Sequence, residues 1–291
     1  MAVYERSYRG YSGELTPRRS RVLIFPRYAF EEVLRSKLFL TFLVLCLLWS
    51  FGLACLLYVP HNLGFAKVIR VDPQQLVEFF AGVFDAGWFF SWFMVPTGFM
   101  ALLITIIVGP VLVTSDMRNN GLALYFARPL TRTDYTLGKS LVLVSLLSLV
   151  TWMPGLLLFV FQSYLEGLDW TRQNWRVPLG IFVGSWIWMV VLCLISLAIS
   201  AYVKWRPVAR ISLIVVFFVA AMMAATVNWI FGTSWGSVIN ILDMVRVIWD
   251  RLFGIGEATV PLWAAVVALL ALCGMCLALL ARKLRPYEVI R

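Results

Sequence analysis

The chain has 291 residues, of which 62% are hydrophobic and 14% charged, against roughly 45 to 50% and 25% in soluble domains. A soluble fold of this size has nowhere to hide that much apolar surface, which excludes a water-soluble globular domain. The formal charge of +10 raises the question of a nucleic-acid partner. No basic stretch carries a nucleic-acid-binding motif, so nucleic acid is set aside, and a basic face lying against anionic lipid headgroups accounts for the charge.

Residues 1 to about 25 hold Arg6, Arg9, Arg18, Arg19 and Arg21 among Gly, Ser and Pro17, a composition that predicts a mobile basic tail on the inner leaflet. From Arg27 to Lys37 the pattern changes: Phe30, Val33 and Leu34 share a helical face, with Glu31, Glu32 and Arg35 on the other. This predicts a short interfacial helix that turns by an elbow into the first span. An Arg-rich stretch of this length before a full-length apolar block is unlike a cleavable signal peptide, so the first span is expected to stay in the mature protein. Residues 1–37 are therefore read as a cytosolic tail and interfacial helix, and 38–291 as the membrane domain.

Six apolar blocks follow, Leu38 to Val59, Phe89 to Val113, Ser140 to Phe161, Leu179 to Val203, Ile211 to Phe231 and Pro261 to Ala281, none containing Asp, Glu, Lys, Arg or His. About 20 helical residues cross a hydrocarbon core, and a lone strand there leaves its backbone groups unpaired, so the blocks are read as helices. After the first block, Asp72, Pro73 and Gln75 predict the N-terminus of a short outer helix reaching about Phe84. Trp88 and Trp92 mark the interface beyond it. Pro96, Pro110 and Pro154 each remove a backbone donor and predict kinks in the second and third spans. The loop Gln162 to Val177 is expected to be short, with Trp170 and Trp175 as interface anchors. The basic turn Lys204 to Arg210 makes the fourth and fifth spans antiparallel neighbours. Before the last span, Val238, Ile241, Leu242, Val245, Ile248, Trp249 and Leu252 fall on one side of a helical wheel, with Asn240, Asp243 and Asp250 opposite. An amphipathic outer helix over about 238–252, lying in the interface or dipping into it, is expected, and Gly254 and Gly256 allow the chain to turn back into the sixth span.

The end segments and the loops after the second and fourth blocks carry 19 of the 25 Lys and Arg residues, and the alternate loops carry 6. Cytosolic loops hold the excess of basic residues, so both termini are expected in the cytosol. The predicted fold class is thus an all-α membrane protein of six transmembrane helices, N-in and C-in, with an N-terminal elbow helix and an amphipathic outer helix before the last span.

Chemistry-bearing motifs are sparse. Gly138, Lys139 and Ser140 match the end of a phosphate-binding loop, but position 133 is Thr where the motif needs Gly, and no strand precedes it. Cys273 and Cys276 form a CxxC inside a span with no further ligand nearby, as plain packing predicts, and His61 has no partner at metal spacing. Asp116 and Asp134 flank a basic loop with no catalytic partner, so capping or salt bridging is the expected role. No enzyme, cofactor or metal site is expected in the chain itself. Uncharged spans also argue against ion-coupled transport, which keeps acids, bases or relays in the membrane.

One stretch is more specific. Ser115 to Lys139 reads SDMRNNGLALYFARPLTRTDYTLGK and resembles the inner loop between spans two and three of permease subunits of the type-2 family of bacterial ABC exporters. The family's pattern is an acid, a glycine, a leucine-rich short helix, Pro with Ser/Thr and Arg, and Tyr-x-x-Gly-Lys. Asp116, Gly121, Leu122 to Phe126, Pro129, Thr131, Arg132, Tyr135, Gly138 and Lys139 stand in those places. Asn119 and Asn120 replace charged residues usual before the glycine, and Tyr125-Phe126 replaces an aliphatic pair. The resemblance implies that loop 115–139 is a coupling element entering a cleft of a separate ATPase subunit, with Asp116, Arg118, Gly121, Leu122, Leu124, Tyr125, Phe126, Arg128, Pro129, Arg132, Tyr135, Gly138 and Lys139 as its residues. It further implies a second permease copy or paralogue, ATP and Mg in the partner ATPase, a bacterial cytoplasmic membrane location, and export of a substrate. A non-transporting scaffold or mechanotransducer driven by the same ATPase is the alternative. Leu122, Leu124, Tyr125 and Phe126 form an apolar cluster that a merely solvated basic turn has no reason to carry.

Overall fold

The computed structural model describes residues 30, 33–59, 86–118, 132–256 and 260–283. Among them the chain is helical, with no strand. The helices are α1 (Lys37–Tyr58), α2 (Ala86–Arg118), α3 (Arg132–Ser148), α4 (Trp152–Glu166), α5 (Leu168–Gln173), α6 (Arg176–Tyr202), α7 (Arg206–Phe231), α8 (Ile241–Phe253) and α9 (Leu262–Lys283), with a 3-10 turn at Trp235–Val238. Six helical segments are long and apolar enough to cross a membrane: α1, α2, α3 with α4, α6, α7 and α9. The protein is a multi-pass membrane protein. Lys37, Arg118, Arg132, Tyr202, Arg206 and Lys283 terminate helices at one end of the bundle, called here the basic end.

α6 is the central helix and packs against α2, α3, α4, α7, α8 and α9. The spans of α2, α3–α4 and α6 are buried over 56%, 56% and 67% of their apolar windows, whereas those of α1, α7 and α9 reach only 17%, 22% and 28%. The chain thus builds an inner group of three spans and leaves three on the outside. Between apolar helices in lipid there is little hydrophobic drive, so close approach and polar contacts have to hold the bundle. Gly109 of α2 meets the Ser196 side chain of α6 in the space a Cβ would occupy, and Arg210 of α7 donates through Nη2 to the Ile107 carbonyl of α2 at 3.2 Å.

The three prolines behave differently. α2 continues as one helix through Pro96 and Pro110, so the expected kinks do not break it. Thr97 donates to the carbonyls of Phe93 and Met94 at 2.6 and 3.2 Å, and Thr114 donates to that of Pro110 at 2.5 Å. In the third span the break is complete. Pro154 supplies no N–H to the Val150 carbonyl, and the helix stops after Ser148 and restarts at Trp152. The Leu147 carbonyl there accepts from the N–H groups of Val150 and Thr151 at 3.1 and 3.0 Å, and from the Thr151 hydroxyl at 2.9 Å.

Ahead of α1, Phe30, Val33 and Leu34 are helical, Val33 buried and Leu34 exposed. Ser36 then breaks the path and caps α1, accepting from Phe39 N at 3.4 Å. The rest of the expected elbow helix, and the outer helix expected from Asp72 to Phe84, lie outside the described residues. The expected loop Gln162 to Val177 is instead mostly helix, because α4 runs on to Glu166 and Leu168–Gln173 forms α5. Trp170 packs on Phe159 with ring centroids 5.6 Å apart, while Trp175 stays exposed.

The amphipathic helix does not lie on the bundle; it enters it. After α7 the chain turns at Gly232 (φ 60°), and the Gly236 N–H donates to Asn228 Oδ1 of α7 at 2.7 Å, which brings the chain back alongside the helix it has just left. Asn240 caps α8 by accepting from Leu242 N at 3.2 Å. The apolar side of α8 then buries Ile241, Met244, Val245, Val247, Ile248, Trp249 and Phe253 against α2, α6, α7 and α9. Its last turns lie beside the first turns of α2 and α6, where Asp250 meets Ser91 and Phe253 packs over Gly180. Segment 232–256 therefore enters and leaves by the same end.

Trp249 anchors this segment to α2 and α6. Its indole fills a slot that exists because two facing residues lack side chains: a Cβ on Gly98 would stand 2.6 Å from it, and one on Gly184 2.8 Å. The indole N–H donates to the Gly184 carbonyl at 3.1 Å. Trp188 packs edge-on against the same ring, with centroids 6.3 Å apart, and donates to the Gly98 carbonyl at 2.9 Å. Both donors are thus satisfied where no water serves. Replacing Trp249 by Phe removes one hydrogen bond and is expected to lower the unfolding free energy by about 1 kcal/mol. Gly184→Val overfills the slot and is expected to cost up to about 3 kcal/mol. Equilibrium unfolding of the reconstituted variants measures both; equal stability of all three proteins contradicts the slot.

Candidate functional site

The loop singled out by sequence joins α2 to α3. Asp116 and Arg118 lie in the last turn of α2, and Arg132 and Tyr135 in the first turns of α3. Gly121, Leu122, Leu124, Tyr125, Phe126, Arg128 and Pro129 lie outside the described residues, as do the side chains of Asp116, Arg118, Arg132 and Tyr135. The two helices that carry the ends of the loop, α2 and α3, pack against each other.

Gly138 and Lys139 are described and buried, Lys139 to 8% exposure. Lys139 stands on the same helical face as Val142, Leu143 and Leu146, all fully buried, which follows from the spacing of three, four and seven residues. Ser140 donates back to the Thr136 carbonyl at 2.8 Å. The Gly-Lys-Ser tripeptide is therefore well inside a helix that began at Arg132. Its backbone N–H groups are engaged in that helix and form no cradle for a phosphate.

A second polar feature lies at the opposite end of the bundle. Ser91, Trp92, Val95 and Pro96 of α2, Arg246 and Asp250 of α8, and Ile255 line a cleft of about 310 Å³. The helical wheel placed Asp250 on the polar side of α8; it did not find Ser91, whose place opposite the carboxylate depends on how deep α8 sits. Ser91 Oγ donates to Asp250 Oδ1 at 3.5 Å, and Arg246 Nε stands 3.9 Å from Oδ2, one turn back on the same helix. Burial pushes the Asp250 carboxyl above its ordinary value, and the Arg246 guanidinium and the Ser91 hydroxyl pull it only part of the way back.

No group of three or more metal-ligating side chains occurs among the described residues. Cys273 and Cys276 are free thiols on α9, half-buried and buried. His61 lies outside the described residues. No protein-family model matches the chain, and no curated protein matches it.

The pKa of Asp250 has a consequence for stability. A carboxyl raised on folding contributes stability that is fully present below its unfolded pKa and is lost as pH rises through the folded value. Asp250→Asn, neutral at every pH, is expected to be at least as stable as the parent at pH 7 and to lose the part of the pH dependence that this group supplies between acid and neutral pH. Thermal unfolding of both proteins across that range reads the difference; parallel pH profiles contradict it.

Proposed function

We propose that this chain is the membrane-spanning subunit of an ATP-driven transporter of the ABC exporter type, working with a separate ATPase subunit and a second permease in a bacterial cytoplasmic membrane. The observation that carries this reading is the stretch Ser115 to Lys139, with its acid, glycine, apolar run, proline and Tyr-x-x-Gly-Lys, standing between the second and third spans. Two further features support it. The spans themselves are uncharged, so the energy for transport comes from elsewhere. Both ends of the loop also leave from helices that pack against each other.

In this reading the basic end faces the cytosol, where basic loops accumulate. The ATPase binds ATP and Mg and grips Leu122, Leu124, Tyr125 and Phe126 as apolar anchors within the basic rim of Arg118, Arg128 and Arg132. Closure of the ATPase then pushes on the end of α2. That helix has 33 residues, about 50 Å at 1.5 Å per residue, and runs from the loop to Gly98 and Ser91 without a break. It contacts α7 through the bond to Arg210 and α8 through Trp249, so the stroke reaches the re-entrant helix at the far end. The nonpolar spans favour a hydrophobic or amphipathic substrate such as a lipid, peptide or drug.

Changing Tyr125 and Phe126 together to Asp places two charges among those anchors and is expected to abolish co-purification with the ATPase while the chain still inserts and folds. Retention of the ATPase by the double variant contradicts the coupling role. Stimulation of ATP hydrolysis by a hydrophobic substrate in the reconstituted complex separates a transporter from a mechanical transducer.

A further inference from the structure

The cleft between α2 and α8 pairs opposite charges with an apolar wall in a way that neither the packing of α8 nor the proposed coupling requires. We propose that it is a binding site for a zwitterionic phospholipid of the phosphoethanolamine class, with the headgroup ammonium on Asp250, the phosphate on Arg246 and an acyl chain along Trp92, Val95 and Pro96. The inference does not depend on the ATPase reading.

The position fits a lipid. Ser91 and Pro96 are five and ten residues into α2, about 8 to 15 Å along its axis, and the apolar window of that span opens at Phe89. The cleft therefore stands where headgroups give way to acyl chains. On its apolar side Val95 is 42% exposed.

The charges select the headgroup. Asp250 receives only long contacts among the described residues, 3.5 Å from Ser91 and 3.9 Å from Arg246. A carboxylate takes up to about four hydrogen bonds, so Asp250 retains capacity for an ammonium donor. Arg246 is 66% exposed, and a loose ion pair at such exposure is worth little. The guanidinium is thus free to turn to a phosphate, which it binds in a forked geometry. An anionic lipid satisfies Arg246 but brings its charge against Asp250. A cationic amphiphile has the opposite conflict. A headgroup carrying both charges meets both residues, and the i, i+4 spacing on α8 sets their Cβ atoms about 5 to 6 Å apart, so the two charged ends stand side by side for the neighbouring ammonium and phosphate of one headgroup.

The test uses the purified full chain in detergent, with the shift of its thermal midpoint followed as dioleoyl phosphatidylethanolamine, phosphatidylglycerol or diacylglycerol is added. Phosphatidylethanolamine is expected to give a saturable upward shift at lower concentration than phosphatidylglycerol, and diacylglycerol none. Asp250→Asn and Arg246→Gln are each expected to raise the half-saturating phosphatidylethanolamine concentration about tenfold, the loss of one charge-assisted hydrogen bond. Val95→Trp, which fills the cleft and leaves both charges in place, is expected to weaken the lipid similarly and serves if either charge variant fails to fold. Equal shifts from all three lipids, as for an unspecific annulus, overturn the proposal. So does phosphatidylglycerol binding as tightly as phosphatidylethanolamine, or an unchanged phosphatidylethanolamine response in the Asp250 and Val95 variants.

Discussion

The seating of Trp249 between Gly98 and Gly184 decides the shape of this molecule. An indole N–H in a hydrocarbon environment is stabilised by an acceptor that water is not there to supply. The acceptors are carbonyls of neighbouring helices, that of Gly184 for Trp249 and that of Gly98 for Trp188. Both helices must bring bare backbone to the ring, and glycine at each position is what lets them. Once the ring is placed, α8 cannot lie flat on the membrane surface; it has to descend between α2 and α6. The return at Gly236, the packing of Phe253 over Gly180 and the cleft at Asp250 follow from that descent.

The bundle is then asymmetric. Three spans are largely enclosed and three are largely open along their apolar sides. The enclosed ones carry the small and hydroxylated residues, including Thr97, Thr105, Gly109, Ser185, Ser196 and Ser200; the hydroxyls of Thr97 and Thr105 bond backbone, and the small size of all six admits close helix contact. The open helices α1, α7 and α9 expose Leu, Val, Phe and Met, side chains at home against acyl chains. α2 belongs to both arrangements, because it is buried on one side, exposes Trp92, Val95 and Phe99 on the other, and connects the proposed coupling loop to the re-entrant segment.

The six spans were legible in the residues because the signal is one of length and of missing charge, and no tertiary contact is needed to produce it. The apolar side of α8 was largely legible too: Ile241, Val245, Ile248 and Trp249 are buried as the wheel predicts, while Leu242 is exposed and Val238 falls in the 3-10 turn before the helix. Its depth was not, since an amphipathic pattern says which side avoids water and is silent on whether lipid or protein covers it. Prolines illustrate the same limit. Pro96, Pro110 and Pro154 look alike in sequence, yet only the third interrupts its helix. The cleft was hidden for a related reason, because Ser91 and Asp250 stand 159 residues apart and meet only once α8 is lowered into the bundle. Most of the loop between α2 and α3 lies outside the described residues, so its role is carried by its residue pattern.

All of this depends on segment 232–256 turning back before it crosses, so that the chain makes six passages and the α2–α3 loop lies on the face opposite Ser234. Single cysteines at Ser234, Arg251 and Arg128, in a chain whose native cysteines are changed to alanine, report this directly when whole cells or sealed vesicles are treated with a membrane-impermeant thiol reagent. Positions 234 and 251 are expected to react from one side of the membrane and position 128 from the other. Labelling of 234 and 251 from opposite sides, or of 128 from the same side as 234, contradicts it.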